Sequence, residues 1–129
     1  MNAREVLANY YVYANEGDWA RWCELFAEDM VMDEQLAGRI EGREKLRSMM
    51  TGMGELYSSF ENLPRHFLFD GEEAAVVSHI CARSSAGKPI EADVMNYFRI
   101  RDGLITYMAN FHDTQPFQVL SRADGGGRG

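Results

Sequence analysis

The feature that most constrains this chain is a change of hydrophobic period near its middle. Segments 65–70, 73–85, 89–101 and 104–114 read as extended, and short turns punctuate them. Asp70-Gly71-Glu72, Ala86-Gly87-Lys88-Pro89 and Arg101-Asp102-Gly103 are those turns. The two longer turns join long strands, which predicts antiparallel hairpins. The first half follows the helical period instead. Val6, Leu7, Tyr10 and Ala14 give residues 3–15 an apolar stripe. Gly17 is the expected left-handed C-terminal residue, and Asp18 the N-cap of a second helix over 19–27. Trp19, Trp22, Leu25 and Phe26 supply its apolar side. Met30-Val31-Met32 reads as a short strand, 33–42 as a loop, and 43–53 as a third helix with Leu46, Met49, Met50 and Met53 on one face. Helices first and strands later predict an α+β domain with segregated layers.

At 129 residues the chain is expected to form one domain over 1–120, followed by a disordered glycine-rich tail over 121–129. The formal net charge of −7, with no basic cluster to offset it, argues against nucleic acid and anionic membranes as partners. No apolar run is long enough for a membrane-spanning helix, and the first residues lack the pattern of a secretory signal. A cytoplasmic location is therefore expected. Cys23 and Cys81 form neither a CxxC pair nor a disulfide framework and read as buried small hydrophobes. His66, His79 and His112 lack metal-ligand spacing, so neither a metal nor a cofactor is expected.

Strand alternation sorts side chains onto faces. Ala92, Val94, Asn96 and Phe98 share a side, opposite the more charged set Glu91, Asp93, Met95, Tyr97 and Arg99. Val77, His79 and Cys81 share a side in the preceding strand, as do Met108, Asn110 and His112 in the last. A curved sheet is expected to collect His79, Asn96, Asn110 and His112 on its concave side, in an apolar pocket with few polar groups.

Four segments carry a family resemblance: YYVYANEGDWARWCELFAEDMVM, GREKL, YFRIRDGLI and NFHDTQPF. On these the chain resembles the nuclear transport factor 2-like superfamily, and within it the SnoaL-like and ketosteroid isomerase-like enzymes, over about residues 3–118. The resemblance implies a cone-shaped α+β barrel, with three N-terminal helices on a strongly curved mixed or antiparallel sheet, commonly as a homodimer. It implies that Tyr10 stands where the isomerase keeps an oxyanion-hole tyrosine, Glu34 where it keeps its base, and Asn96 where it keeps a second oxyanion donor. That isomerase is a standard example of a carboxylic acid held neutral to donate a hydrogen bond. An asparagine donates without any such tuning.

These readings define the expected chemistry. The chain is expected to be a cofactor-independent lyase or isomerase moving protons on a small hydrophobic aromatic, polyketide-like or steroid-like substrate. A lignin-derived diaryl compound losing formaldehyde or water is included. Glu34 or His79 takes the proton, with Asp33 a rival if the register slips, and Tyr10 and Asn96 hold the oxyanion. Asn110, His112, Met32, Cys81, Val94, Phe98 and Trp22 are expected to contact substrate. A non-catalytic binding or dimerisation domain is the competing reading. Epoxide hydrolysis is the third, weakened because Val77, His79 and Asn110 stand where the limonene epoxide hydrolase-like branch keeps Arg and two Asp.

Overall fold

The computed structural model describes residues 1–120. The tail expected to be disordered, 121–129, lies outside the described residues. Helix α1 spans Ala3–Glu16 and starts with a capping box, in which Asn2 and Glu5 each accept the other's backbone N–H. It stops at Gly17, whose φ of 71° is the left-handed conformation expected from the sequence. Asp18 then caps α2, Trp19–Glu24, by accepting from Arg21 N. This helix is shorter than the sequence suggests. Leu25 O accepts from Ile105 N at 2.9 Å, and Phe26 already belongs to β1. Pairing with the last strand outcompetes another helical turn.

Strand β1 covers Phe26–Glu34 and β2 Gly38–Glu41, paired antiparallel around a turn at residues 35–37. The segment read as a loop is thus half strand. Helix α3 runs Arg43–Met50, and a turn at Thr51-Gly52 separates it from the short α4, Met53–Leu56. Four strands follow: β3 Tyr57–Asp70, β4 Glu73–Ser84, β5 Pro89–Arg101 and β6 Leu104–His112. β3 begins eight residues before the segment expected to be extended. Its irregular inner pattern, with register shifts after Tyr57 and Pro64, hides the alternation. A 3₁₀ turn at Gln115–Phe117 leads into helical residues 118–120, the last described.

The six strands form one curved sheet in the order β2-β1-β6-β5-β4-β3. It is an open α+β arrangement, not a closed barrel. All neighbours are antiparallel except β1 and β6, which pair in parallel. The inner face carries Ala74, Val76, Ile80, Val94, Phe98 and Met108, all buried. Helix α1 lies against it through Val6, Leu7, Tyr10, Tyr11 and Ala14. Phe117 folds back onto Ile80, Ile90, Ala92 and Val94 and extends the core toward the other end of the sheet.

Candidate functional site

The helices do not fill the inner face of the sheet. A cavity of about 360 Å³ remains between α1, α2, the α3–α4 segment and the strands, a size suited to a small molecule. Met32, Ile40, Leu46, Met49, Met50 and Met53 make much of its wall. The methionines give that wall adaptable, polarisable surface. Among the described residues, no lysine or arginine lines it. The polar exceptions include Tyr10 on α1, Glu34 and His112 at the ends of β1 and β6, Tyr57 and Asn62 on β3, Asn96 in the middle of β5 and Asn110 on β6.

Glu34 is the last residue of β1, on the same side of the strand as the buried Met30 and Met32. The turn after it curls the chain back, so Leu36 N and Ala37 N donate to Glu34 Oε1 at 2.6 and 3.1 Å. Parallel pairing sets Glu34 beside Asn110, with His112 two residues further along the same face of β6. His112 Nε2 lies 2.8 Å from Glu34 Oε2, and its Nδ1 lies 2.9 Å from the carbonyl of Asp113. A carbonyl only accepts, so Nδ1 carries a proton. The contact between Nε2 and Oε2 then needs exactly one more, held by either partner. Glu34 and His112 are therefore a pair sharing one proton at the cavity wall.

The surroundings decide where that proton rests. Burial pushes the Glu34 carboxyl up, but the hydrogen bonds from His112, Leu36 and Ala37 outweigh it and hold the carboxyl below its ordinary value. The Glu34 hydrogen bond raises His112 above its ordinary value against the effect of burial, with help from the Asp113 carbonyl. Both directions favour carboxylate and imidazolium. Tyr10 lines the cavity from α1. Burial first, and then the Glu34 charge, raise its phenol, so it stays a proton-bearing donor. Tyr57, at the start of β3, is pushed up to about 12 by the same two causes.

Asn96 sits on β5 opposite Asn110 on β6 and is only 2% exposed. Its carbonyl accepts from Tyr11 Oη at 2.7 Å and Ser78 Oγ at 3.2 Å. Its amide nitrogen donates to Asn110 Oδ1 at 2.8 Å. The phenol joined to Asn96 is thus Tyr11, not Tyr10. Alternation pointed to burial of Asn96, but it could not count the partners waiting there. Trp22 and Asn62 also line the cavity, and Trp22 Nε1 and Asn62 Oδ1 are buried with no hydrogen-bond partner among the described residues.

The structure therefore gathers Tyr10, Glu34, Asn96, Asn110, His112, Met32, Val94 and Trp22 around one cavity. It does not bring four other residues named from the sequence there: His79, Cys81, Phe98 and Asp33. His79 faces outward, its Nδ1 2.9 Å from Asp93 and its Nε2 2.9 Å from Glu91. Cys81 is exposed on that same outer face, so it is not the buried small hydrophobe expected. The parity chosen for β4 was the wrong one. Cross-strand partners share a face, and β4 pairs Ser78 with Val94 and Ile80 with Ala92. The even-numbered set of β4 is therefore inward. Phe98 does point inward, but the Tyr10 ring covers it at 5.1 Å between centroids, leaving it fully buried behind the cavity wall. Asp33, the rival base, also faces out. It accepts from Arg39 at 2.8 and 2.9 Å and from Tyr107 Oη at 2.6 Å, and these contacts hold its carboxyl down to about 2.

A curved sheet with helices over an inner cavity defines the class of protein, the NTF2-like fold, and solved structures agree. An NTF2-like protein of unknown function from Burkholderia pseudomallei K96243 superposes with a TM-score of 0.84 at 15% identity, over 93% of this chain and 97% of that one. TerC, co-crystallised with polyporic acid, gives 0.79 at 20% identity, over 90% and 95%. A candidate polyketide cyclase from Pseudomonas putida KT2440 gives 0.77 at 21% identity, over 91% and 96%. At these identities the likeness establishes the fold. The family model of the SnoaL-like domain matches residues 7–108, and the chain belongs to that family. No curated protein matches the sequence.

Proposed function

We propose that the protein is a cofactor-independent isomerase or lyase that moves a proton on a small hydrophobic, aromatic or polyketide-like substrate. The observation that carries this reading is the one-proton pair of Glu34 and His112 in the wall of an otherwise apolar cavity. As carboxylate and imidazolium, the pair holds a base and an acid 2.8 Å apart. Glu34 takes a proton from carbon next to a carbonyl, and the electron pair left behind moves onto the carbonyl oxygen. The Tyr10 hydroxyl donates to that oxyanion. In an isomerisation the proton returns to a different carbon. In a dehydration His112 gives its Nε2 proton to the departing hydroxyl. The proton on Glu34 then passes to His112 and restores the starting state. Either way the pair begins and ends with one proton.

The fold relatives support the substrate class. One was crystallised with polyporic acid, and another is a candidate polyketide cyclase. Epoxide hydrolysis gains less support, because among the described residues Glu34 is the single carboxylate lining the cavity, with no second one to hold a water. The deciding experiment incubates the protein in deuterated water with a panel of enolisable ketones and diaryl diols. Deuterium uptake at carbon, or release of water or formaldehyde, is expected from the wild type. Full turnover by Glu34→Gln on a substrate found in this way would end the proposal.

The outer face of the sheet supports the homodimer expected from the resemblance. Met95 and Phe111 are exposed there as cross-strand partners on β5 and β6, and Leu68 is exposed on β3, beyond β4; exposed apolar side chains of this kind mark an interface. A second copy of the chain is the proposed occupant. Light scattering showing a monomer at all concentrations would remove it. The free cysteines fit a reducing compartment, consistent with a cytoplasmic location.

A further inference from the structure

Two buried hydroxyls fix which end of an amide faces the cavity. Tyr11 Oη and Ser78 Oγ both lie against Asn96 Oδ1, at 2.7 and 3.2 Å. Tyr11 is 3% exposed and Ser78 is fully buried. Each hydroxyl proton needs an acceptor, and the Asn96 carbonyl serves both. Reversing the Asn96 amide would set an NH₂ group against them and leave both protons without that acceptor. Asn96 therefore turns its nitrogen to the other side, where it donates to Asn110 Oδ1 at 2.8 Å. This fixes Asn110 in turn. Its carbonyl is occupied by Asn96, so its NH₂ group takes the other position. There its partner is Met32 Sδ at 3.9 Å, a long contact to a weak acceptor. Asn110 is half-buried and lines the cavity, as does Met32. A nearly unused N–H donor thus stands beside Glu34, its register partner on β1, and two residues from His112.

We propose that Asn110, and not Asn96, is the amide that binds substrate, and that it offers an N–H selecting a carbonyl or phenolic oxygen. Tyr11, Ser78 and Asn96 are positioning residues that lock this polarity. The inference deepens the proton-transfer reading and rests on it for the use made of the bound oxygen. It names the substrate class more narrowly. The reacting molecule carries an uncharged oxygen acceptor that gains negative charge at this spot, next to the acid–base pair. The lining that the described residues form carries no lysine or arginine and so offers no cationic partner to a substrate entering as a carboxylate or phosphate. When a phenol serves as ligand, its O–H bond breaks and the electron pair stays on oxygen. The proton leaves to water, because the Glu34 carboxyl, held below its ordinary value by His112, Leu36 and Ala37, is too weak a base to keep it.

The test uses 4-nitrophenol, whose ionised form is visible by absorbance, and 4-nitrotoluene, of similar shape but without the hydroxyl. Binding of both is measured to the whole protein and to Asn110→Leu and Tyr11→Phe. Asn110→Leu is expected to weaken 4-nitrophenol about tenfold relative to 4-nitrotoluene, as loss of a hydrogen bond to a developing charge requires. Tyr11→Phe, which leaves the cavity surface untouched, is expected to lower the same ratio about threefold by loosening the amide polarity. A merely structural role would weaken both ligands alike. In the wild type, the side-chain N–H signals of Asn110 in ¹⁵N-resolved spectra are expected to move with 4-nitrophenol and not with 4-nitrotoluene. This measurement decides the matter if the leucine variant does not fold. Unmoved Asn110 signals, or an unchanged ratio in a folded Asn110→Leu, overturn the inference. Glu34→Gln separates the two readings. Retained discrimination with lost proton exchange supports both, while full turnover by Glu34→Gln fails only the acid–base reading.

Discussion

The sheet carries a histidine–carboxylate cluster on each face, and the two differ in what surrounds them. Inside, His112 meets Glu34 at 2.8 Å, with side chains 3% and 18% exposed. Outside, His79 is held at 2.9 Å by both Glu91 and Asp93, which are 65% and 77% exposed. Hydrogen bonds to carboxylates raise both histidines. Only the inner pair faces a cavity. Outside, water and salt screen the charges, and the second carboxylate clamps both ring nitrogens. Inside, the Asp113 carbonyl fixes one ring nitrogen and leaves the other to exchange a proton with Glu34. The lesson is that a histidine paired with an acid is not by itself a reactive group. Enclosure and an undecided proton make it one.

The two faces can be told apart by experiment, starting with packing. Phe98→Ala, on the inner face and fully buried, is expected to cost about 3–5 kcal/mol in urea unfolding. Met95→Ala, on the outer face, is expected to cost about 0.5 kcal/mol at a dilution where the chain does not self-associate. Comparable losses would mean that the outer face is as tightly packed as the inner one. Next comes activity. On an accepted substrate, Glu34→Gln is expected to slow proton exchange about a hundredfold, and His79→Gln to leave the rate unchanged. A large loss in His79→Gln would erase the distinction between the clusters.

The pH dependence of stability gives a smaller contrast. The lowered carboxyl of Glu34 contributes stability that is present above its unfolded value and lost as pH falls through its folded one. The raised imidazole of His112 contributes stability that is complete below the unfolded histidine value and lost as pH rises through the folded one. The inner pair therefore stabilises most in the mildly acidic window between them. His112→Gln is expected to flatten the decline in urea midpoint on the alkaline side, in low and high salt alike. His79→Gln should flatten it less, and only at low salt. The smallest expected effect is that of an outer-face charge on packing within the single chain. Met95→Glu is expected to shift the light-scattering mass to the monomer while leaving the unfolding midpoint of the diluted chain nearly unchanged.

Much of this architecture was legible in the sequence, and the reasons are local. Gly17 and Asp18 announced the α1–α2 junction because a left-handed cap and a short polar N-cap have few alternatives. In β5, charged residues mark the outer side and apolar ones the inner, so alternation placed Val94 and Asn96 without error. In β4 the two sides differ less, and the error about His79 and Cys81 followed. The charges of Glu73 and Arg83 sit in the odd-numbered set and were the available signal. Glu34 and His112 were each named, but not as a pair. Their meeting depends on the parallel docking of β1 on β6, and strand periodicity carries no information about which distant strand becomes a neighbour. The Asn96 network was likewise beyond reach, since Tyr11 stands 85 residues away from it in the chain.

The single parallel seam in the sheet has one more consequence. It unites the first and last strands, so the acid and its imidazole come from positions 78 residues apart. Neither half of the polypeptide holds a working proton relay on its own. The final strand lies inside the sheet, between β1 and β5, so an opening of the β1–β6 seam parts the acid from its imidazole even while β6 stays paired with β5. The topology thus acts as an interlock, keeping a reactive acid–base couple from existing in an unfinished or fraying chain.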